Sequence, residues 1–127
     1  MDANYDADIE SSRAFSSVLD YHRDSVSFWQ REGVHHPFLL STYPRSGKGR
    51  RYHANFARLG FVAQHARLVS FVELLHVPTV GKNPLTVADF DPVHLDRVNA
   101  AIINGNAEHI FISDKVSRLM RQTGHFP

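Results

Sequence analysis

Segments with helical periodicity alternate along this chain with short apolar runs, and this alternation is the feature that most limits its fold. The runs at positions 38–43, 68–75 and 108–112 are rich in large apolar residues and are too short for convincing helices. Strands that alternate with helices favour βαβ units with right-handed crossovers. The sequence therefore predicts an α/β fold, with a short and mostly parallel sheet in a three-layer α/β/α arrangement.

Two helices are predicted in the first half of the chain. Residues 9–32 place apolar side chains three and four positions apart, and Gly33 follows as a stop. Residues 51–59 repeat this pattern more briefly and are followed by Gly60. The pattern predicts one long amphipathic helix and one short helix.

Capping residues mark two more helices in the second half. Asp91 is a favoured N-cap residue, and Pro92 after it suits the first helical position. This third helix is predicted to continue to the Asn104-Gly105 pair. Ser113 and Asp114 are expected to cap a last helix that ends at Gly124.

The length and composition are those of one globular domain. The 127 residues fit the usual size of a single domain, which we divide into an N-terminal acidic helix at 1–33 and an α/β core at 37–124. No cysteine is present, which excludes disulfides, thiolate metal ligands and a thiol nucleophile. No apolar run approaches a membrane span, and the N-terminus is acidic, unlike a signal peptide. We expect no membrane partner and a cytoplasmic location.

Charge is distributed unevenly, although the net charge is only +1. Residues 1–32 carry seven acids and three bases, whereas residues 33–72 carry six bases and no acid. Glycines among the bases at 45–51 would let backbone N–H groups approach an anion. The alternative is a solvated basic loop that the acidic first helix balances. The residues predicted to bind phosphate or nucleic acid are Arg45, Ser46, Lys48, Arg50, Arg51, His53 and Arg58.

The common catalytic and cofactor motifs are absent. The glycine spacing matches neither the P-loop nor the dinucleotide fingerprint, and no Gly-x-Ser-x-Gly elbow occurs. Nine histidines raise the question of a metal, but the adjacent His35 and His36 would point apart on a strand. His53 is equally suited to the surface or to a ligand site. We expect neither a metal nor a cofactor.

Polar residues follow each predicted strand, where ligands bind in parallel sheets. His76 follows the second predicted strand and could contact a phosphate or a base edge, or it could be structural. Ser113 follows the third, where capping is the simpler explanation. The residues predicted to form a base pocket are Tyr43, which would stack on the base, His76, Thr79 and Ser113.

The order of these segments resembles the uracil-DNA glycosylase superfamily between about residues 37 and 124. The segments that carry the resemblance are FLLSTYPRSG at 38–47, YHANFARLG at 52–60, VELLHVPT at 72–79 and IFISDKV at 110–116. In that family the first strand runs into a loop that positions water and base, and a middle strand ends near a Pro-Thr element. The resemblance implies a DNA-binding domain and, if the chain is active, an N-glycosylase.

Two departures from the family pattern bear on catalysis. Residues 41–49 contain no Asn, Asp or Glu to activate water, and no His-Pro-Ser-type loop follows a fourth strand before Pro127. The chain is therefore expected to be a short relative or a fragment.

The leading hypothesis is a glycosylase-like domain that binds DNA or a nucleobase through the basic loop. One alternative is an interaction module that forms a homo-oligomer or docks an acidic partner. Another is a small enzyme on phosphorylated metabolites.

Overall fold

The computed structural model describes residues 4–44, 49–81 and 84–127. Its helices are α1 (Phe15–Arg23), α2 (Ser25–Glu32), α3 (Arg50–Ala57), α4 (Pro92–Asn104) and α5 (Asp114–Thr123). Short 3₁₀ helices lie at Ile9–Ser11, Pro37–Leu39, Ala63–Leu68 and Val87–Asp89. Two short strands, β1 (Asn4–Tyr5) and β2 (Thr79–Val80), form a parallel pair. The prediction of helices combined with parallel strands is thus confirmed at this coarse level.

The parallel pair ties the N-terminal segment to the middle of the chain. Asn4 lies opposite Thr79, and Tyr5 lies opposite Val80. The Thr79 hydroxyl is 3.1 Å from Asn4 Oδ1, and the Gly81 N–H donates to the Tyr5 carbonyl at 2.8 Å. Neither strand belongs to a run that was predicted to be a strand.

The strand predicted at 38–43 is wrong, because its backbone forms hydrogen bonds locally. The ring of Pro37 suits the first position of a 3₁₀ helix, and His36 Nδ1 accepts the Phe38 N–H at 3.2 Å. The N–H groups of Leu39 and Leu40 then donate to carbonyls three residues earlier, at 3.0 Å each. These bonds occupy groups that a sheet would need.

The strands predicted at 68–75 and 108–112 are also wrong, since only the first residue of the first run, Leu68, belongs to a helix and the rest of both runs is irregular. Leu74 and Leu75 are buried among helices instead of in a sheet. Within the described residues, the backbone of 106–112 makes no hydrogen bond to other backbone. A short apolar run shows that a segment is suited to burial, but it does not supply a strand partner.

The long helix predicted at 9–32 is divided into three parts. Asp24 has an extended backbone (φ −156°, ψ 94°) between α1 and α2. Its carboxylate accepts the Ser27 N–H at 3.0 Å and the Ser27 hydroxyl at 2.7 Å, so it caps a new helix. The predicted stop is confirmed, because Gly33 ends α2 at a φ of 72°.

The caps predicted for the last two helices are confirmed. Asp91 Oδ1 accepts the His94 N–H at 2.7 Å at the start of α4. Ser113 Oγ accepts the Val116 N–H at 3.3 Å at the start of α5, which ends at Gly124 with a φ of 73°. Local side-chain chemistry therefore determines where these helices begin and end.

The apolar core consists of three clusters. The first joins β1, α1 and the 3₁₀ helix at Pro37–Leu39, and the second joins α4, α5 and the segment before β2. The third packs Trp29 of α2 against Phe56 of α3 and Ala66. The fully buried His36 and His53 stack on each other, and Phe38 of the first cluster lies beside both rings.

Candidate functional site

A cluster of three buried histidines anchors α3 to the rest of the protein. His35, His36 and His53 are 3%, 1% and 0% exposed. His35 Nε2 lies 2.9 Å from His53 Nδ1, a hydrogen bond in which one ring donates and the other accepts. The ring of His36 stacks on that of His53, with 3.7 Å between the centroids. His53 belongs to α3, so these contacts fix the inner face of that helix.

The surroundings of this histidine cluster keep it uncharged. The rings of Trp29, Phe56 and Phe71 lie 4.9 to 5.5 Å from that of His35, and within the described residues no imidazole of the cluster is hydrogen-bonded to a carboxylate. Burial lowers the pKa of His35 to about 4 and, together with the neighbouring His35, that of His53 to about 2. Burial also lowers the pKa of His36 well below its usual value.

His53 therefore does not fit the phosphate-binding role predicted for it. Its side chain is closed to solvent, and its neutral ring brings no positive charge to a surface. His53 Nε2 is buried without a hydrogen-bond partner in the structure. The position supports a role in packing α3, which the periodicity of residues 51–59 did not reveal.

The four residues predicted to form a base pocket lie in different surroundings. Tyr43 is 2% exposed in the first core cluster, and its hydroxyl accepts the Asp6 N–H at 3.3 Å, so it cannot stack on a base from this position. Thr79 is in β2, exposed His76 lies near His94, and Ser113 caps α5. No hydrogen bond or ring contact in the described part of the chain joins any two of the four.

Three predicted cations do share one surface. Arg50 and Arg51 begin α3, and Arg58 follows its last turn; Arg51 and Arg58 are exposed and Arg50 is partly exposed. No salt bridge among residues 4–44, 49–81 and 84–127 involves any of these three guanidinium groups. The predicted contacts Arg45, Ser46 and Lys48 lie outside the described residues.

In the acidic segment, residues 1–32, one carboxylate forms ion pairs with bases of the same segment. Asp20 of α1 is 3.1 Å from Arg31 and 3.7 Å from Arg23, which are bases of the same segment. Asp24 is influenced by both segments: hydrogen bonds from Ser27, and to a smaller extent the charge of Arg67 in the basic segment, lower the pKa of its carboxyl. The alternative in which the acidic segment balances the basic one is therefore supported at Arg67, which lies outside α3.

An open groove of about 190 Å³ runs beside these cations. The residues that line it are Tyr52, Asn55, Phe56, Leu59 and Phe111. The Tyr52 hydroxyl donates to the carbonyl of Phe111 at 3.3 Å, and burial raises the pKa of Tyr52, so this donor stays protonated. The ring of Phe111 meets that of Phe56 edge-on, with 6.2 Å between the centroids. The groove is therefore lined almost entirely by apolar atoms, most of its lining residues being aromatic.

Helical spacing places the groove and the cations side by side. Asn55 is four residues after Arg51 and three before Arg58, and residues at these separations are neighbours on a helix surface. The sequence interpretation included the cations but missed Asn55, Leu59 and Phe111. The spacing of 51, 55 and 58 could have revealed Asn55, whereas Phe111 is distant in sequence and reaches α3 only through the fold.

No protein-family model, curated protein or solved structure matches this chain. Within the described residues, no group of three or more His, Asp or Glu side chains could hold a metal ion. None of the helices there has the length and apolar content that a bilayer crossing requires. The case for a function therefore depends on the geometry of the α3 surface.

Proposed function

We propose that this protein binds nucleic acid through the exposed surface of α3, with DNA as the ligand that its resemblance to the uracil-DNA glycosylase superfamily predicts. The observation that carries the proposal is a group of three guanidiniums, Arg50, Arg51 and Arg58, beside an aromatic groove, none of which forms a salt bridge within the described part of the chain. Arginines without an acidic partner are free to contact phosphates, and phosphate contacts supply most non-specific affinity for nucleic acid.

The proposal concerns binding more than base excision. Residues 41–49 contain no Asp, Glu or Asn, and Tyr43 is buried in the core. A three-layer, glycosylase-like arrangement also remains a proposal. The parallel β1–β2 pair supports it, whereas the irregular conformation of two predicted strands does not. A cytoplasmic location is retained with it, in keeping with the absence of cysteine.

Salt-dependent binding tests the proposal directly. Fluorescence anisotropy would follow a labelled oligonucleotide titrated with the protein at several salt concentrations. Replacing both Arg51 and Arg58 by Ala should weaken binding to every sequence and reduce the slope of log K against log salt by about 1.5. The matched control replaces Arg13 and Arg97, which are also exposed and lie outside this surface.

Two results would reject nucleic-acid binding through the α3 surface. Equal loss in the Arg51/Arg58 and Arg13/Arg97 variants would show that net charge alone is sensed. Binding of a polyglutamate peptide as tight as that of the oligonucleotide would instead favour the module that docks an acidic protein. Light scattering at the same concentrations would report a homo-oligomer.

A further inference from the structure

We infer that the groove beside α3 receives one unpaired base, so that single strands are the preferred ligand. This inference rests on the proposed function. It adds a second contact, to a base, to the phosphate contacts made by the arginines. The observation behind it is that rings from two distant parts of the chain, Tyr52 and Phe56 on α3 and Phe111 before α5, line the same groove.

The chemistry of the groove suits the face of a base. Aromatic side chains stack on bases of any sequence because every base has a π face. In a duplex these faces are covered by neighbouring base pairs, so only an unpaired base can offer one. The atoms that line the groove are almost all apolar, which suits the face of a base better than its polar edge.

The charge around the groove indicates which occupant it accepts. Its neighbours on the helix surface, Arg51 and Arg58, are both cationic. One acid also acts on the groove, since the charge of Glu73 adds to the effect of burial in raising the pKa of Tyr52. A second copy that docked through the same face would set these cations against their counterparts, at a cost in free energy. An occupant with an apolar ring attached to an anionic group matches the surface, and a nucleotide within a strand has this composition.

Phe111 is the aromatic residue of the groove whose replacement should disturb the packed core least. It is 49% exposed, whereas Phe56 is 6% exposed and belongs to the third core cluster. The adjacent Ile110 is 50% exposed and does not line the groove. Phe111→Ala therefore removes a stacking surface at little structural cost, and Ile110→Ala is its matched control.

The decisive experiment compares three ligands of equal length at one salt concentration: a single strand, an abasic single strand and a duplex. The abasic strand keeps every phosphate and lacks the bases. Loss of stacking should make it bind about tenfold more weakly than the normal strand. Phe111→Ala should remove this difference, while Phe111→Trp should restore it and Ile110→Ala should leave it unchanged. Circular dichroism would verify the fold of each variant.

The outcomes separate this inference from the function on which it rests. If the abasic strand or the duplex binds as tightly as the normal strand, and the Arg51/Arg58 variant still loses affinity, the base site is refuted and phosphate binding stands. If Phe111→Ala and Ile110→Ala have the same effect, the base site is also refuted. If no strand binds at low salt, both ideas fail.

Discussion

Acidification from pH 7 to pH 5 is expected to remove about 6 kcal/mol from the free energy of unfolding, because three histidines are buried in their neutral form. Burial holds the pKa of His35 at about 4 and that of His53 at about 2, and it lowers the pKa of His36 well below its usual value. An unfolded histidine has a pKa of about 6.5. Below that pH the unfolded chain binds protons that the folded chain does not.

The magnitude depends mainly on the unfolded state. At pH 5 an unfolded histidine is almost fully protonated, which stabilises the unfolded chain by about 2 kcal/mol for each imidazole that stays neutral in the fold. The sign follows from the lowered pKa values: the stability is fully present above about pH 6.5 and is lost as the pH falls toward the folded-state pKa values. A loss of about 6 kcal/mol is a large part of the roughly 5–15 kcal/mol that stabilises a typical domain.

Urea titrations at a series of pH values provide the assay. The only Trp of the chain, Trp29, is 4% exposed and its ring lies 5.5 Å from that of His35, so its fluorescence reports on this region. The slope of the unfolding free energy near pH 5 should correspond to about three protons, or about 4 kcal/mol per pH unit. His22, whose pKa is also lowered by burial, acts in the same direction.

One variant tests the assignment to the histidine cluster. His35→Gln can keep a hydrogen bond to His53 but cannot titrate, so the proton slope should decrease by about one. The reasoning is refuted if the wild-type free energy changes by less than about 2 kcal/mol between pH 7 and pH 5. A slope of one proton or less would lead to the same conclusion.

Three substitutions elsewhere test the local contacts. Asp24→Ala removes the carboxylate that accepts hydrogen bonds from Ser27, so we expect a lower midpoint in a urea titration; an unchanged midpoint would contradict the capping role. Gly49→Ala should lower the free energy of unfolding by about 1–3 kcal/mol, because the added methyl group would overlap the buried ring of Phe38. The backbone is not the cause, since the φ of −72° suits any residue. Equal thermal stability of the variant would rule out this close approach. Asp91→Ala should cost about 1 kcal/mol, while Asp91→Asn should retain most of that stability, and a similar loss in both would argue against the cap.

Helix ends were predictable from the sequence because they depend on nearby residues. Asp91 and Ser113 cap the helices that follow them, and Gly33 and Gly124 end helices with a positive φ. Such interactions span only a few positions, so a single sequence contains the necessary information. The break at Asp24 belongs to the same class, but the apolar periodicity that continues past it concealed the cap.

The sheet was not predictable in this way. Pairing between Asn4 and Thr79 joins residues far apart in the sequence, and neither lies in an apolar run. Leu74 is buried as its run suggested, yet against helices instead of strands. The composition of a segment predicts that it will be buried, whereas the elements against which it packs depend on the complete fold.

The same distinction applies to the candidate site: features within one helix could be predicted, and contacts between distant segments could not. Arg51 and Arg58 were predicted because charge on one short helix is visible in the sequence, and the structure places both at the surface. Phe111 was missed because its contact with Tyr52 bridges two separate elements. His53 was placed at the surface because its stacking with His36 depends on how α3 packs.

One short helix carries both the buried imidazole His53 and the groove residues Asn55 and Phe56. With eight residues, α3 is too short to be stable alone, so its groove exists only while its inner face stays packed. Protons and ligand then act on the same helix in opposite directions: acid favours the state without a groove, and an oligonucleotide favours the state with one. By linkage, a saturating strand should lower the pH at which the protein unfolds, and mild acid should release the strand even though arginines and phosphates keep their charges.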